Sequence, residues 1–233
     1  MSEGERRLVI VRHGSSVWNQ CGRFTGWTDI LLDEQGLARD AAAGRKLAEL
    51  GLEFDEVHIS VLRRTRQSAD SLLGAAGQPG LPRYSTWRLN ERHYGQLQGM
   101  NRQEIFARWG EQRFRRWWRG YFEAPPPLDP DDPRHPRFDP LYAQLDPALL
   151  PCSESLADCQ HRLLPYWREV LAPRIAAHRS LLVISHGNAI RGLVMALEKI
   201  SPDGIQKVEI PPSTPLVYRF DDELEAVGRD WLV

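Results

Sequence analysis

The sequence predicts an α/β fold with a mostly parallel central sheet flanked by helices. Two observations carry this. Two short, β-branched apolar runs, Leu8–Val11 and the LLVI of Leu181–Ser185, read as strands buried on both faces, as parallel sheets require. Around them strand-like and helix-like periods alternate, the pattern of βα units.

The elements follow in order. After Leu8–Val11 comes a polar stretch, Ser15 to Asp33. Glu34–Leu50 then reads as a helix with an apolar stripe of Leu37, Ala41, Ala42, Leu47 and Leu50, closed by Gly51 in the C-terminal cap position. Glu56–Ser60 reads as a second strand, Arg63–Leu73 as a helix and Gly77–Pro82 as a turn. From Trp87 the grammar changes. Arg102–Trp109 and Glu111–Tyr121 are helical pieces rich in Arg and Trp, and Pro125 to Pro147 is proline-dense. A long irregular segment inside a compact domain is usually functional or disordered, and the aromatic residues argue against disorder. We therefore expect one domain over residues 1–233, with an insertion of about 87–150 covering the site as a lid. The α/β pattern resumes with a helix over Glu154–Ala177, capped by Ser153 and kinked or split by Pro165 and Pro173. Leu181–Ser185, a helix over Asn188–Lys199 and a last strand, Leu216–Phe220, complete the chain.

Bulk properties exclude several classes. The 42% hydrophobic content of the 233 residues is enough for a core without disulfide or metal staples. Thirty basic residues against 31 acidic ones leave a net charge of −1, which argues against a nucleic-acid binder. Cys21, Cys152 and Cys159 lack zinc-site spacing and read as free thiols in a reducing compartment. The polar start, Met1 to Arg7, does not read as a signal peptide, so none is expected, and no apolar run approaches the roughly 20 residues that cross a bilayer. The expected location is the cytoplasm, with no membrane partner.

The chemistry concentrates at the two apolar strands. One runs into Arg12-His13-Gly14, the other into Ser185-His186-Gly187. In open α/β sheets ligands bind beyond the carboxyl ends of strands, and a following glycine permits a sharp turn and close approach. One strand-end histidine is more often a hydrogen-bonded core residue; two in one context point to a site. The pair could hold a metal with Glu91, act as acid and base, or supply a nucleophile. Arg12, Arg63, Arg64, Arg66 and Arg191 stand close by in sequence. Guanidiniums repel a divalent cation and match phosphate oxygens, so no metal is expected. Backbone donors at the start of the Asn188 helix would add to an anion site. Phosphate beside an uncharged imidazole suggests phosphoryl transfer through phosphohistidine, because that transfer needs little beyond a nucleophile and positioned cations. Glu91 beside Arg92 reads equally as a surface carboxylate. Arg113, Arg115 and Arg116 read as a solvated helix face. Trp87, Trp109 and Trp117 read as packing, and His58, His135, His161 and His178 carry no expected role.

Taken together, LVIVRHG (Leu8–Gly14), Trp18-Asn19, RFTGW (Arg23–Trp27), SVLRR (Ser60–Arg64), LNERHYG (Leu89–Gly95) and SHGN (Ser185–Asn188) resemble the histidine phosphatase superfamily. More narrowly they resemble its cofactor-dependent phosphoglycerate mutases, in order from about Leu8 to Phe220. The resemblance implies a phosphoglycerate mutase-like enzyme interconverting 3- and 2-phosphoglycerate, a glycolytic step. A 2,3-bisphosphoglycerate primer would phosphorylate His13, and small phosphorylated acids would be the partners. His186 would face the transferred group and Glu91 would be acid and base. Arg12 and Arg64 would hold the phosphate, assisted by Asn19. Thr25 and Gly26 would contact ligand, as would Gly187 and Asn188, while Tyr94, Arg102 and Arg119 would bind the carboxylate and second phosphate. Members are often dimers or tetramers, so a homo-oligomer is possible. Three positions depart from the family. Ser15 replaces a glutamate near the site, Trp118 an arginine before Arg119-Gly120, and Pro211-Pro212-Ser213 a Pro-Thr-Gly. These admit a paralogue using a different small acid, or a phosphatase; a non-catalytic binding protein is disfavoured because Arg12, His13 and His186 are all present.

Overall fold

The computed structural model describes residues 6–233. The charged stretch read from Met1 lies, up to Glu5, outside them. Six strands form one sheet: β1 (Arg6–Arg12), β2 (Glu56–Ile59), β3 (Arg83–Ser85), β4 (Leu181–Ser185), β5 (Leu216–Phe220) and β6 (Ala226–Trp231), in the order β3-β2-β4-β1-β5-β6. β3, β2, β4 and β1 pair in parallel, and β5 is antiparallel to both neighbours. The sheet is mostly parallel, as expected. Two strands were not anticipated. β3 is only three residues with exposed side chains, and β6 alternates half-buried with exposed residues at the edge, so neither carries a buried apolar run. Leu216–Phe220 is thus not the last strand.

The helices are α1 (Val17–Gln20), α2 (Glu34–Glu49), α3 (Arg63–Ala75), α4 (Arg102–Arg119), α5 (Leu156–Tyr166), α6 (Ala172–Ala176) and α7 (Gly187–Leu197). Alternation along the central strands divides the core in two. Leu8, Ile10, Leu181 and Val183 pack with α5, α6 and α7 residues such as Leu163, Ile175 and Leu193. Val9, Val11, Leu182 and Ile184 pack on the opposite face against Leu47, Leu72 and Leu73 of α2 and α3. Both faces of β1 and β4 are therefore covered, which is why their sequences are apolar throughout.

Two local expectations are corrected, and the split of the long helix is met. Ser155, not Ser153, caps α5, because it forms a reciprocal capping box with Asp158; the Ser153 hydroxyl instead donates to Pro125 O at 2.8 Å. The expected Glu154–Ala177 helix is split, as its prolines foretold: a π-turn over Trp167–Leu171 separates α5 from α6 where the regular ladder fails. α7 begins at Gly187 rather than Asn188, with His186 as its N-cap. In α4 the two helical pieces are joined end to end, with a break at Gly110 (φ 79°). None of the helices among the described residues is long and apolar enough to cross a membrane.

Candidate active site

Strand pairing makes the site. β1 and β4 are parallel neighbours with Arg12 opposite Ser185, and the His13 amide donates to Ser185 O at 3.0 Å. Both strands end at the same level, so the next residues meet: the His13 and His186 rings stand edge to face, 4.9 Å between centroids. Gly14 follows because α2 comes close there; a Cβ at Gly14 would lie 2.5 Å from Gly36 O. The close approach that this glycine permits is therefore that of a helix backbone, not of a ligand. The Gly14 amide donates to the buried Asp40 carboxylate and to Ser68 Oγ, while Ser213 Oγ donates to Asp40 at 2.6 Å. Asp40 thus ties the histidine loop to α3 and to the segment after Pro212, a role that a polar residue inside α2 did not advertise.

His13 is buried, and its Nδ1 lies 2.6 Å from Gly14 O. A carbonyl only accepts, so Nδ1 carries the ring proton and Nε2 keeps its lone pair. Burial, then Arg64, then Arg12, hold the imidazole well below its ordinary pKa, so it stays neutral near pH 7. His13 lines a cavity of about 420 Å³, as do Arg12, Arg64, Asn19, Thr25, Gly26, Glu91, Tyr94, Arg102, Arg119, Gly187 and Asn188. His186 is fully buried behind His13 with both nitrogens engaged. Nδ1 accepts from Arg64 Nε at 3.2 Å, and Nε2 donates to Ser60 Oγ at 2.8 Å. Its ring braces His13 and Arg64 from behind the cavity wall.

Arg64 is buried, with its fork spread over three acceptors: His186 Nδ1, Gly26 O at 2.7 Å and Thr28 O at 2.9 Å. Burial pulls it down to about 10, so it remains a cation at neutral pH. Five donors against three bonds leave one N–H on each terminal nitrogen for a ligand. Gly26 presents its carbonyl from a left-handed turn (φ 56°), where a Cβ would collide with Gln98 Oε1. Arg12 donates to Ile210 O at 2.8 Å, and its Nε is buried without a protein partner. Thr25 Oγ1 is likewise buried and unpartnered. Buried polar atoms are normally paired, so these two leave unused bonding capacity in the cavity wall. Asn19 spends its Oδ1 on Ser16 as the box partner of α1, which leaves the amide nitrogen for the cavity.

Glu91 does face the cavity rather than bulk solvent. Its Oε1 accepts the amides of Arg92 at 2.7 Å and Asn188 at 3.2 Å. The N–H of Asn188, at the second position of α7, is therefore given to this carboxylate rather than to an anion in the cavity. Asn188 Nδ2 donates to Tyr94 Oη at 2.8 Å, freeing the phenol proton for a ligand. Arg162 of α5, which drew no attention in the sequence, holds this loop from beneath. It pairs with Glu154 at 2.7 Å and donates to the carbonyls of Trp87, Arg88, Asn90 and Glu91.

At the rim, the guanidiniums of Arg102 and Arg119 lie over the Trp118 indole at 4.9 and 4.6 Å. Trp118, one of the three departures, is a wall of the cavity, and Pro211 and Pro212 are too. Ser15 is not; its hydroxyl donates to Asp33 at 2.8 Å. Arg63 turns outward to pair with Asp29, and Arg66 is exposed, so neither joins the cluster expected from sequence. Arg191 does, fixed by bonds to Asn188 Oδ1, Arg119 O and Ile205 O. Arg23, Phe24, Glu209 and Ile210 line the cavity without having been singled out. Arg23 and Phe24 could have been found from the RFTGW stretch; nothing in sequence marked Glu209.

A family model described as histidine phosphatase superfamily (branch 1) matches residues 8–229. A 2,3-bisphosphoglycerate-dependent phosphoglycerate mutase of Xylella fastidiosa is 44% identical over 227 residues, covering 97% of this chain and 91% of the relative. One from Nitratidesulfovibrio vulgaris is 45% identical over 225 residues, covering 97% and 90%. Among solved structures, a mycobacterial glucosyl-3-phosphoglycerate phosphatase bound to VO3 superposes with a TM-score of 0.70 at 25% identity, covering 91% of this chain and 92% of that one. A mycobacterial hydrolase gives 0.74 at 23% identity over 97% of each chain, a likeness of fold alone. The chain belongs to the histidine phosphatase superfamily and, within it, to the 2,3-bisphosphoglycerate-dependent phosphoglycerate mutases.

Proposed function

We propose that the enzyme interconverts 3-phosphoglycerate and 2-phosphoglycerate through a phosphoryl group carried on His13 Nε2. The observation that carries this is the His13 ring: neutral, with Nδ1 committed to Gly14 O, and set between two cations in a cavity wall. With a doubly phosphorylated acid bound, the Nε2 lone pair attacks one phosphorus in line, the P–O bond to the acid breaks, and Glu91 gives a proton to the departing oxygen. Arg12 and Arg64 hold the equatorial oxygens as charge spreads over them. In the converse half-reaction, with a singly phosphorylated acid bound beside phospho-His13, Glu91 takes the proton of the acid's free hydroxyl, that oxygen attacks phosphorus, and the N–P bond returns its electrons to Nε2. His186 keeps Arg64 and the His13 ring in place. Thr25, the Gly26 turn and the Asn19 amide contact the phosphoryl side; Tyr94, Arg102, Arg119, Gly187 and Asn188 surround the rest of the acid.

A primer is needed, since unphosphorylated His13 cannot start the cycle from a monophosphate without losing the product. The relatives named above are 2,3-bisphosphoglycerate-dependent. Six arginines in the cavity wall and unpartnered buried atoms at Arg12 and Thr25 suit a polyanion of that kind, which would supply the first phosphoryl group. Residues 1–233 act as one domain in this reading. The segment 87–150, which contributes Glu91, Tyr94, Arg102, Trp118 and Arg119, serves as the cover that limits water. Three unpaired cysteines favour a reducing, cytoplasmic setting.

Phosphorus NMR of 3-phosphoglycerate with a trace of 2,3-bisphosphoglycerate tests the reading. Growth of 2-phosphoglycerate with little inorganic phosphate is expected. Inorganic phosphate as the main product would make the enzyme a phosphatase, and an unchanged spectrum would reject these acids as substrates.

A further inference from the structure

Two carboxylates line a cavity walled by six arginines. Glu91 has its place in the acid–base step; Glu209 has none there. Its side chain is 74% exposed, yet its Oε1 accepts from Arg119 Nη2 at 2.6 Å. The segment that carries it is anchored on both sides of β1's last residue: Arg12 Nη1 donates to Ile210 O at 2.8 Å, and Ser213 N–H donates to Arg12 O at 2.8 Å. Two prolines, Pro211 and Pro212, stiffen the run between. Glu209 is thus presented to the cavity by the backbone that also fixes the phosphate-side arginine. Arg119 in turn is held against Trp118 at 4.6 Å. A ligand anion that reaches Arg119 meets a guanidinium already neutralised by the chain itself. It must displace or share Glu209, and the repulsion that it meets grows with its own charge.

We propose that Glu209 is a specificity-determining residue, an internal carboxylate occupying the Arg119 subsite. It weakens the binding of anionic acids in proportion to their charge and so favours singly over doubly phosphorylated ones. The choice of ligands rests on the phosphoglycerate reading above; the charge argument does not.

Glu209→Gln keeps the size and an acceptor and removes the charge. Calorimetric affinities for 3-phosphoglycerate and 2,3-bisphosphoglycerate, at low and at high ionic strength, are set beside KM and kcat from phosphorus NMR. Affinity for 3-phosphoglycerate is expected to rise about two- to five-fold, the range that an exposed ion pair supports. That for 2,3-bisphosphoglycerate rises by a larger factor, and both gains shrink in high salt. The kinetic effect falls on KM more than on kcat. Glu223→Gln, an exposed carboxylate in the β5–β6 turn, produces no such pattern. Unaltered affinities in Glu209→Gln overturn the proposal, as do equal gains for both ligands that persist in high salt. Should the wild-type enzyme bind these acids and interconvert neither, the proposed reaction fails while the affinity comparison still decides Glu209.

Discussion

Arg64→Lys keeps a cation and removes a fork, which makes it a sharp probe of how the site is held. Arg64 serves Gly26 O, Thr28 O and His186 Nδ1 from three different nitrogens at 2.7, 2.9 and 3.2 Å. A lysine ammonium is a single point on a flexible stem and cannot span that arrangement. At least one buried acceptor loses its partner, at about 1–3 kcal/mol each. Two losses give about 2–6 kcal/mol of stability, or roughly 4–24 °C in Tm for a chain of this size. The ammonium also withdraws from the phosphoryl side, and losing one such electrostatic contact costs about 10²–10³ in rate. The assay is rapid-quench phosphorylation of His13 by labelled 2,3-bisphosphoglycerate in a single turnover, with thermal unfolding in parallel. A variant that phosphorylates within three-fold of wild type, with an unaltered Tm, would refute the claim that the fork organises the site.

Three further outcomes follow from the geometry. Glu91→Gln keeps an oxygen for the Arg92 and Asn188 amides, so ligand affinity measured by calorimetry should hold within about three-fold while kcat falls by about 10²–10⁴, the usual worth of general acid–base catalysis. Gly26→Ala forces a left-handed alanine against Gln98, whose Oε1 accepts the Trp27 amide at 2.8 Å; unfolding should show a loss of about 2–4 kcal/mol, with KM raised as the Arg64 anchor shifts. His93 is buried and pushed down to about 3, chiefly by burial, from an ordinary 6.5. The unfolded chain therefore takes the proton first: this contribution to stability is intact above about pH 6.5 and is lost as pH falls toward 3, by about 1.4 kcal/mol per unit. In His93→Asn the Asn oxygen can replace Nδ1 as acceptor for the Gly95 amide, and unfolding at pH 7, 6 and 5 should show a slope shallower by about one proton; an identical slope would mean that His93 is not the group responsible.

The sequence by itself determined the sheet centre and the chemistry at its edge. A strand buried on both faces has to be apolar throughout, so Leu8–Val11 and Leu181–Ser185 announced themselves, and with them the strand ends that carry Arg12, His13 and His186. Edge strands face solvent and carry no such run, so β3 and β6 were invisible. The tertiary structure alone decided which guanidiniums converge. Arg63, Arg64 and Arg66 lie within one turn of α3, and side chains on a helix point in different directions, so only Arg64 reaches the cavity. It also decided the supports whose partners are remote in sequence: Asp40 beneath Gly14, Arg162 and Glu154 beneath Glu91, and Glu209 on Arg119. A polar side chain finds such partners only where folding brings them, and no local pattern encodes a partner tens of residues away, such as Glu91 O for Arg162 or Arg119 for Glu209.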